Sequence, residues 1–391
     1  MGATTGDERG ELALALGGGG ARGAYQVGFL RHLARRFPDL RVPVLTGVSA
    51  GAINAAYLAN HTGSFEQKVA GLVDLWGEIS VEQVFRVDER SLVGHILRWA
   101  GQLLWFGGRR VRQMRGLVDT RPLAQFLCRT LHCVDGDLPG IERNVAAGDL
   151  RAVALVATRY DTGQTITFCQ GRDIAMWRRP QRVSRMAELR VEHVMASAAL
   201  PAFFPAVRIA ESWYGDGGMR LHSPLAPAIH LGAGRVMAIS TRYGRSSEEA
   251  ERPTFHGYPP PAQVLGVLLN AIFLDLLDQD AQNLERVNAL VDELSAEKRG
   301  GLRHVDLLVL RPSQDLGALA NEYEPRLPGL FRFLTRRLGT KESRNQDLIS
   351  LVMFQEDYLR RLIEIGEQDA QARADEIAAF VAGAPDGVSG E

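Results

Sequence analysis

The first sixty residues alternate a short apolar run, a glycine-rich loop, an amphipathic stretch, a second apolar run and a second helix-prone stretch. That order restricts the chain more than any other feature. A β-loop-α-β-turn-α sequence packs as a parallel sheet with right-handed crossovers. Residues 12–16, Leu-Ala-Leu-Ala-Leu, read as a buried strand. Gly17, Gly18, Gly19 and Gly20 follow, and residues 22–36 then carry Tyr25, Phe29, Leu30 and Leu33 at helical spacing until Pro38 stops them. Residues 42–45 read as the second strand and residues 52–58 as the next helix. Further strands are expected at 152–158, 165–169, 207–211, 236–240 and 305–311. From about residue 260 the pattern is mostly helical, with stretches at 264–294, 328–338 and 346–380. A Ser-, Glu-, Pro- and Gly-rich linker at 245–261 precedes it. The expected fold is therefore α/β in three layers with a mainly parallel central sheet. It divides into a catalytic domain at 11–245 and a mostly helical C-terminal extension at 260–382, packed on the core.

Composition narrows the class. The 391 residues are 46% hydrophobic, enough for a large core, and 45 Lys and Arg balance 46 Asp and Glu to a net charge of -1. That balance argues against a nucleic-acid binder. Cys128, Cys133 and Cys169 fit neither a zinc site nor a redox C-x-x-C and are expected as buried free thiols. The nine histidines form no ligand-spaced pair, so no metal or other cofactor is expected. The polar, acidic N-terminus lacks the form of a signal peptide, Gly6 stands where a myristoylation signal wants Ser or Thr, and no run reaches about 18 apolar residues. The expected location is the cytoplasm, with peripheral contact to membranes.

Gly47-Val48-Ser49-Ala50-Gly51 lies between the second strand and its helix. A G-x-S-x-G at such a junction is a nucleophile elbow, which lifts a serine hydroxyl to the top of the sheet, and Gly47 and Gly51 relieve the turn. The pattern by itself is weak; its strand-turn-helix setting gives it force. Gly18-Gly19-Gly20-Ala21-Arg22-Gly23 also follows a strand and opens a helix, which suits backbone N–H groups that hold an oxyanion. The same letters satisfy G-x-G-x-x-G. A dinucleotide site, however, expects an acid closing the second strand, where this chain has Thr46 and the elbow. Arg22 would steady the loop or meet an anionic substrate. Asp216, in Tyr214-Gly215-Asp216-Gly217-Gly218, reads on its own as a turn former. His222, six residues later, leaves open a Ser-Asp-His triad.

Taken in order, Gly18 to Gly23, Gly47 to Gly51 and Asp216-Gly217-Gly218 resemble the patatin-like phospholipase family. So do Gly116-Leu117-Val118-Asp119-Thr120-Arg121-Pro122-Leu123 and Ala196-Ser197-Ala198-Ala199-Leu200-Pro201-Ala202-Phe203-Phe204-Pro205. The likeness spans roughly residues 11–240 and extends to bacterial members with a helical extension. It implies a serine lipid acyl hydrolase of phospholipase A or lysophospholipase type, with Ser49 as nucleophile and Asp216 as its base. Amides of the glycine loop, chiefly Gly19 and Gly20, would hold the oxyanion. Many relatives have Asp-Gly-Ala where this chain has Asp-Gly-Gly. Two other outcomes stay open: a catalytically silent lipid-binding or regulatory protein on this scaffold, and a short-chain carboxylesterase. Residues 90–115 suit a lid insertion, and 92–115, apolar and aromatic with Trp99, Trp105 and several arginines, suit a peripheral membrane contact. The expected partner is a lipid or phospholipid substrate, with no nucleic acid; headgroup, acyl position and oligomeric state are not written in these residues.

Overall fold

The computed structural model describes residues 10–86, 118–201, 203–251, 276–323 and 350–383. Its strands are β1 (Leu12–Leu16), β2 (Val44–Val48), β3 (Ala152–Arg159), β4 (Thr165–Gly171), β5 (Arg178–Arg179), β6 (Arg182–Met186), β7 (Val207–Ile209), β8 (Ser212–Asp216), β9 (Arg235–Ile239) and β10 (Asp306–Leu310). They form one sheet in the order β10-β9-β1-β2-β3-β4-β6-β5, and the first five of these run parallel. Helices cover both faces, so the architecture is a three-layer α/β sandwich with a helical C-terminal part.

The strand sequences explain the two faces. In β1, Leu12, Leu14 and Leu16 enter the core beneath α1 (Gly23–Arg36), α2 (Ala50–Asn60) and α3 (Phe65–Glu78). Ala13 and Ala15 point the other way, toward the helices Ala226–His230 and Leu276–Glu293. β3 and β9 repeat the pattern, with Val153, Leu155, Met237 and Ile239 on the first face and Ala152, Ala154, Val236 and Ala238 on the second. Period-two alternation between large and small apolar residues, buried on both sides, is what a central parallel strand requires.

The C-terminal helix Glu356–Ala372 lies on α1. Their backbones touch at Gly28, where a Cβ would stand 1.9 Å from the Ile363 carbonyl oxygen. The Tyr25 hydroxyl donates to Asp369 Oδ2 at 3.0 Å, and Arg31 and Arg35 both pair with Glu367. The helices Leu276–Glu293 and Glu356–Ala372 fall within the expected helical stretches, and Ala374–Ala382 runs past the end expected at 380. Residues 264–275, the 328–338 stretch and the lid segment 90–115 lie outside the described residues.

Three expectations need correction. The strand expected at 42–45 begins at Val44 and runs to Val48, because Pro43 has no N–H to give a ladder and only its carbonyl is used, accepting from Arg151 and Ala152. The strand expected at 207–211 is a hairpin, β7 and β8, reversed at Ala210 with φ 51, so Asp216 closes a strand instead of sitting in a loose turn. Cys128 and Cys133 are joined as a disulfide. The helix Arg121–Thr130 ends beside Cys128 and His132 takes φ 49, which turns the chain back and brings the two Cα atoms to 4.9 Å. Cys169 is the buried free thiol, and burial pushes its pKa up to about 12.

A paired substitution tests how tightly the elbow is packed. A Cβ at Gly51 would stand 2.1 Å from the Leu16 carbonyl oxygen and 2.5 Å from that of Gly17, whereas one at Gly77 would meet nothing within 4 Å. Gly51→Ala is expected to cost about 3 kcal/mol, because only backbone could yield. Gly77→Ala, on the exposed side of α3, should be neutral or gain about 0.5–1 kcal/mol. Equal denaturation midpoints for the two variants would contradict this packing.

Candidate active site

The topology explains how two residues 167 positions apart come together. β4 lines one edge of β3 along its whole length. The other edge is shared: β2 pairs with Ala152 to Val156, and β8, running antiparallel, pairs with Ala157 to Arg159. Val48 faces Val156 and Asp216 faces Ala157. β2 and β8 therefore meet head-on in one slot, with Ser49 leaving the tip of the first and Asp216 closing the second.

Ser49 has φ 55 and ψ -124, a left-handed conformation that costs a non-glycine residue about 1–3 kcal/mol. Neighbours hold it there. The Ser49 amide donates to Ser197 Oγ at 3.0 Å, and that hydroxyl donates to the Val156 carbonyl at 2.6 Å. α2 begins at Ala50 with no acidic residue in its first turn, so no side chain of that turn offsets the positive end of its dipole beside the hydroxyl.

Asp216 is fully buried, and Ser49 is 8% exposed. The Asp216 amide donates to the Ala199 carbonyl at 2.9 Å, and its carbonyl accepts from Thr158 Oγ1 at 2.8 Å. Oδ1 accepts from the Gly218 amide at 2.8 Å, while Oδ2 makes no hydrogen bond of full geometry with any described residue. Burial pushes the carboxyl pKa up to about 7, opposed by the Ser49 hydroxyl and then by the Gly218 amide. Such a carboxylate is basic enough to take a proton near neutrality.

The glycine loop is tethered by its carbonyls. Gly17 O accepts from Gln26 Nε2 at 2.9 Å, Gly18 O from Thr241 Oγ1 at 2.6 Å, and Gly19 O from the Arg22 amide at 3.1 Å. The amides of Gly18, Gly19 and Gly20 donate to no other described residue. A Cβ at Gly18 would lie 3.2 Å from Ser49 Cβ, so the loop passes directly beside Ser49. Gln26 belongs to a buried chain: Trp76 Nε1 donates to Asn54 Oδ1 at 2.7 Å, and Asn54 Nδ2 donates to Gln26 Oε1 at 2.9 Å. That chain fixes α1, α2 and α3 against the loop.

Of the residues expected from sequence, Gly18, Gly19, Gly20, Gly47, Ser49, Gly51, Asp216, Gly217 and Gly218 gather at the carboxyl end of the parallel strands. Arg22 is buried and donates from Nε to Ser350 Oγ at 2.7 Å, tying the loop to the C-terminal part. Gly23 starts α1 behind the loop. His222 is exposed and takes no part in the forces on Asp216. Thr241, Gln26 and Asn54 carry no motif in the sequence, and Ser197 lies in a stretch that matched the family without a role of its own. The signal for Gln26 and Asn54 was present, since each is an uncharged polar residue set among small and apolar ones in a helix.

An apolar pocket opens from Ser49 and Asp216 between Ile53, Trp76, Ile79, Leu123, Phe204 and Phe354. On its flank Phe85 meets Phe203 edge-on and Phe204 at a tilt. Among the described residues no group of three His, Cys, Asp or Glu side chains could hold a metal ion, and no helix is long and apolar enough to cross a membrane.

This is an α/β scaffold with an elbow-borne serine at the end of a parallel sheet. The profile of the family described as patatin-like phospholipase matches residues 14–229, more than half of the chain, and the protein belongs to that family. VipD from Legionella pneumophila is similar over 94% of this chain and 67% of its own, at 12% identity and a TM-score of 0.40. Human GIVD cytosolic phospholipase A2 is similar over 96% of this chain and 60% of its own, at 12% identity and a TM-score of 0.46. The chain thus spans about two thirds or less of these proteins. No curated protein matches it in sequence.

Proposed function

We propose that the protein is a serine acyl hydrolase that cleaves fatty-acyl esters of phospholipids or lysophospholipids through a Ser49–Asp216 dyad. The observation that carries this reading is the head-on meeting of β2 and β8 on one edge of β3, beside a loop with unspent amides. Asp216 takes the Ser49 proton as Oγ attacks the ester carbonyl carbon. The amides of the glycine loop and the start of α2 stabilise the tetrahedral oxyanion; donors of this kind are worth about 3 kcal/mol each. Collapse expels the lysolipid or glycerol alcohol, which takes the proton from Asp216, and leaves an acyl-serine. Water then gives a proton to Asp216, attacks the acyl carbon, and releases the fatty acid as the proton returns to Ser49. The apolar pocket from Ile53 to Phe354 suits the acyl chain.

Digestion of phospholipid dispersions, read as released fatty acid and lysolipid, tests this reading. The value of kcat/KM should rise with pH through about 7, as the buried carboxyl of Asp216 loses its proton, and level off above. Release of acid from short soluble esters alone would favour a carboxylesterase. No release from either would sink the assignment.

A further inference from the structure

The carboxyl end of the sheet carries charge and aromatic surface that the chemistry does not use. At the outer edge, β5 and β6 form a hairpin whose tip, Pro180 and Gln181, lies at the same end of the sheet as Ser49 and Asp216. The register fixes this: Arg182 pairs with Thr165, Thr165 with Thr158, and Thr158 with Gly215. From residue 174 to 187 the hairpin has four arginines, Arg178, Arg179, Arg182 and Arg185, and no carboxylate. None of the four has an ion-pair partner among the described residues, although Asp280 lies near enough to Arg182 to feel its charge.

Arg179 stands directly across from Arg182 in the β5–β6 register. Like charges in that position destabilise a sheet edge unless an anion lies against them. A small pocket on that face is lined by both arginines with Thr165, Thr167, Trp177 and His230. Trp177 and His230 stack at 4.6 Å, and burial and then the two arginines hold His230 below the usual histidine range. The tip is joined to the turn that follows Asp216, since Arg220 donates to Gln181 Oε1.

Two exposed aromatic side chains lie at the same end of the sheet. Tyr160, 41% exposed, follows β3, and Trp213, 43% exposed, sits in β8 beside it, the Tyr160 amide donating to the Trp213 carbonyl at 2.9 Å. The acids nearby are spoken for: Asp161 pairs with Arg159, and Glu211 with Arg208. Unpaired arginines and exposed aromatic rings at one end of the sheet match the surface of an anionic bilayer, where rings sit at headgroup level and guanidinium groups meet phosphate. A protein partner would have to supply both acids and an apolar face here, and a bilayer has both throughout its surface.

We infer that the β5–β6 tip, with Tyr160 and Trp213, docks the carboxyl end of the sheet onto an anionic lipid surface, Arg179 and Arg182 seating a headgroup phosphate. The inference rests on the reading of lipid esters as substrate, since docking there presents the pocket to the bilayer.

The test uses the full chain carrying Ser49→Ala, so that binding is read without turnover. Its flotation with vesicles of phosphatidylcholine alone is compared with that on vesicles containing phosphatidylglycerol. The parent should bind the anionic vesicles in preference. Adding Arg178→Gln, Arg179→Gln and Arg182→Gln together should weaken that binding on the order of 100-fold. The same triple substitution with Ser49 intact should leave turnover of a soluble short-chain ester within about twofold, since charge at an exposed edge away from the dyad does not alter its fold. Equal binding of the parent to both vesicle types, or none, would overturn the inference, as would a triple variant that binds undiminished. Tighter binding to a DNA duplex than to anionic vesicles would overturn it too. Loss of ester turnover in the unsubstituted protein would instead defeat the hydrolase reading, and the flotation result would still stand.

Discussion

Ser49→Ala is expected to lower kcat on phospholipid by at least about 10⁴-fold, the scale seen when a nucleophile acting with its base is removed. Substrate binding and fold should change little. The side chain is small, its amide rather than its hydroxyl holds the elbow to Ser197, and alanine keeps that bond. Stability should rise slightly or stay level, since the left-handed φ of 55 remains and one buried hydroxyl is lost. A variant that keeps a tenth of the activity would show that another group performs the attack. Circular dichroism and a thermal melt must accompany the assay, so that loss of turnover is not loss of structure.

Asp216→Asn should separate chemistry from stability more sharply, because the two move in opposite directions. The amide still accepts from the Gly218 amide, but it cannot take a proton, so turnover should fall about 10³-fold or more. Stability depends on pH with a definite sign. The folded carboxyl titrates near 7, well above its ordinary value of 3.8, so the folded chain holds a proton that the unfolded chain has lost between these limits. Stability therefore falls as pH rises from about 4 to about 7, and the full cost of the buried charge is present above 7. The amide carries no such cost. At pH 8 the variant should be about 1–4 kcal/mol more stable than the parent, and at pH 4 the two should agree, as urea melts at both pH values will show. A less stable variant at pH 8 would mean that the carboxylate is held by partners strong enough to outweigh its burial.

Much of this arrangement is legible in the chain. Leu12 to Leu16 announces a doubly buried strand, and Gly47 to Gly51 marks the elbow, because local patterning there agrees with the final fold. What could not be read locally is pairing across distance. Asp216 looks like a turn residue until β8 is seen to end against β3, and only the sheet register makes it a buried carboxyl with a raised pKa. The β7–β8 reversal at Ala210 carries no Gly, Asn or Asp where the left-handed residue falls, so the usual signal was missing. β5 and β6 were invisible for a related reason: Arg178, Arg179, Arg182 and Arg185 follow no apolar alternation, and the strands form because β4 offers an open edge. The disulfide between Cys128 and Cys133 depends on the reversal at His132, which a separation of five positions does not specify.

The dyad is most directly tested by peptide mapping of the intact protein after reaction with a fluorophosphonate, at several pH values. One adduct is expected, on Ser49, formed at a rate that climbs through about pH 7 and is lost in Asp216→Asn. An adduct on any other serine, or labelling of Ser49 undiminished without the Asp216 carboxylate, would contradict it.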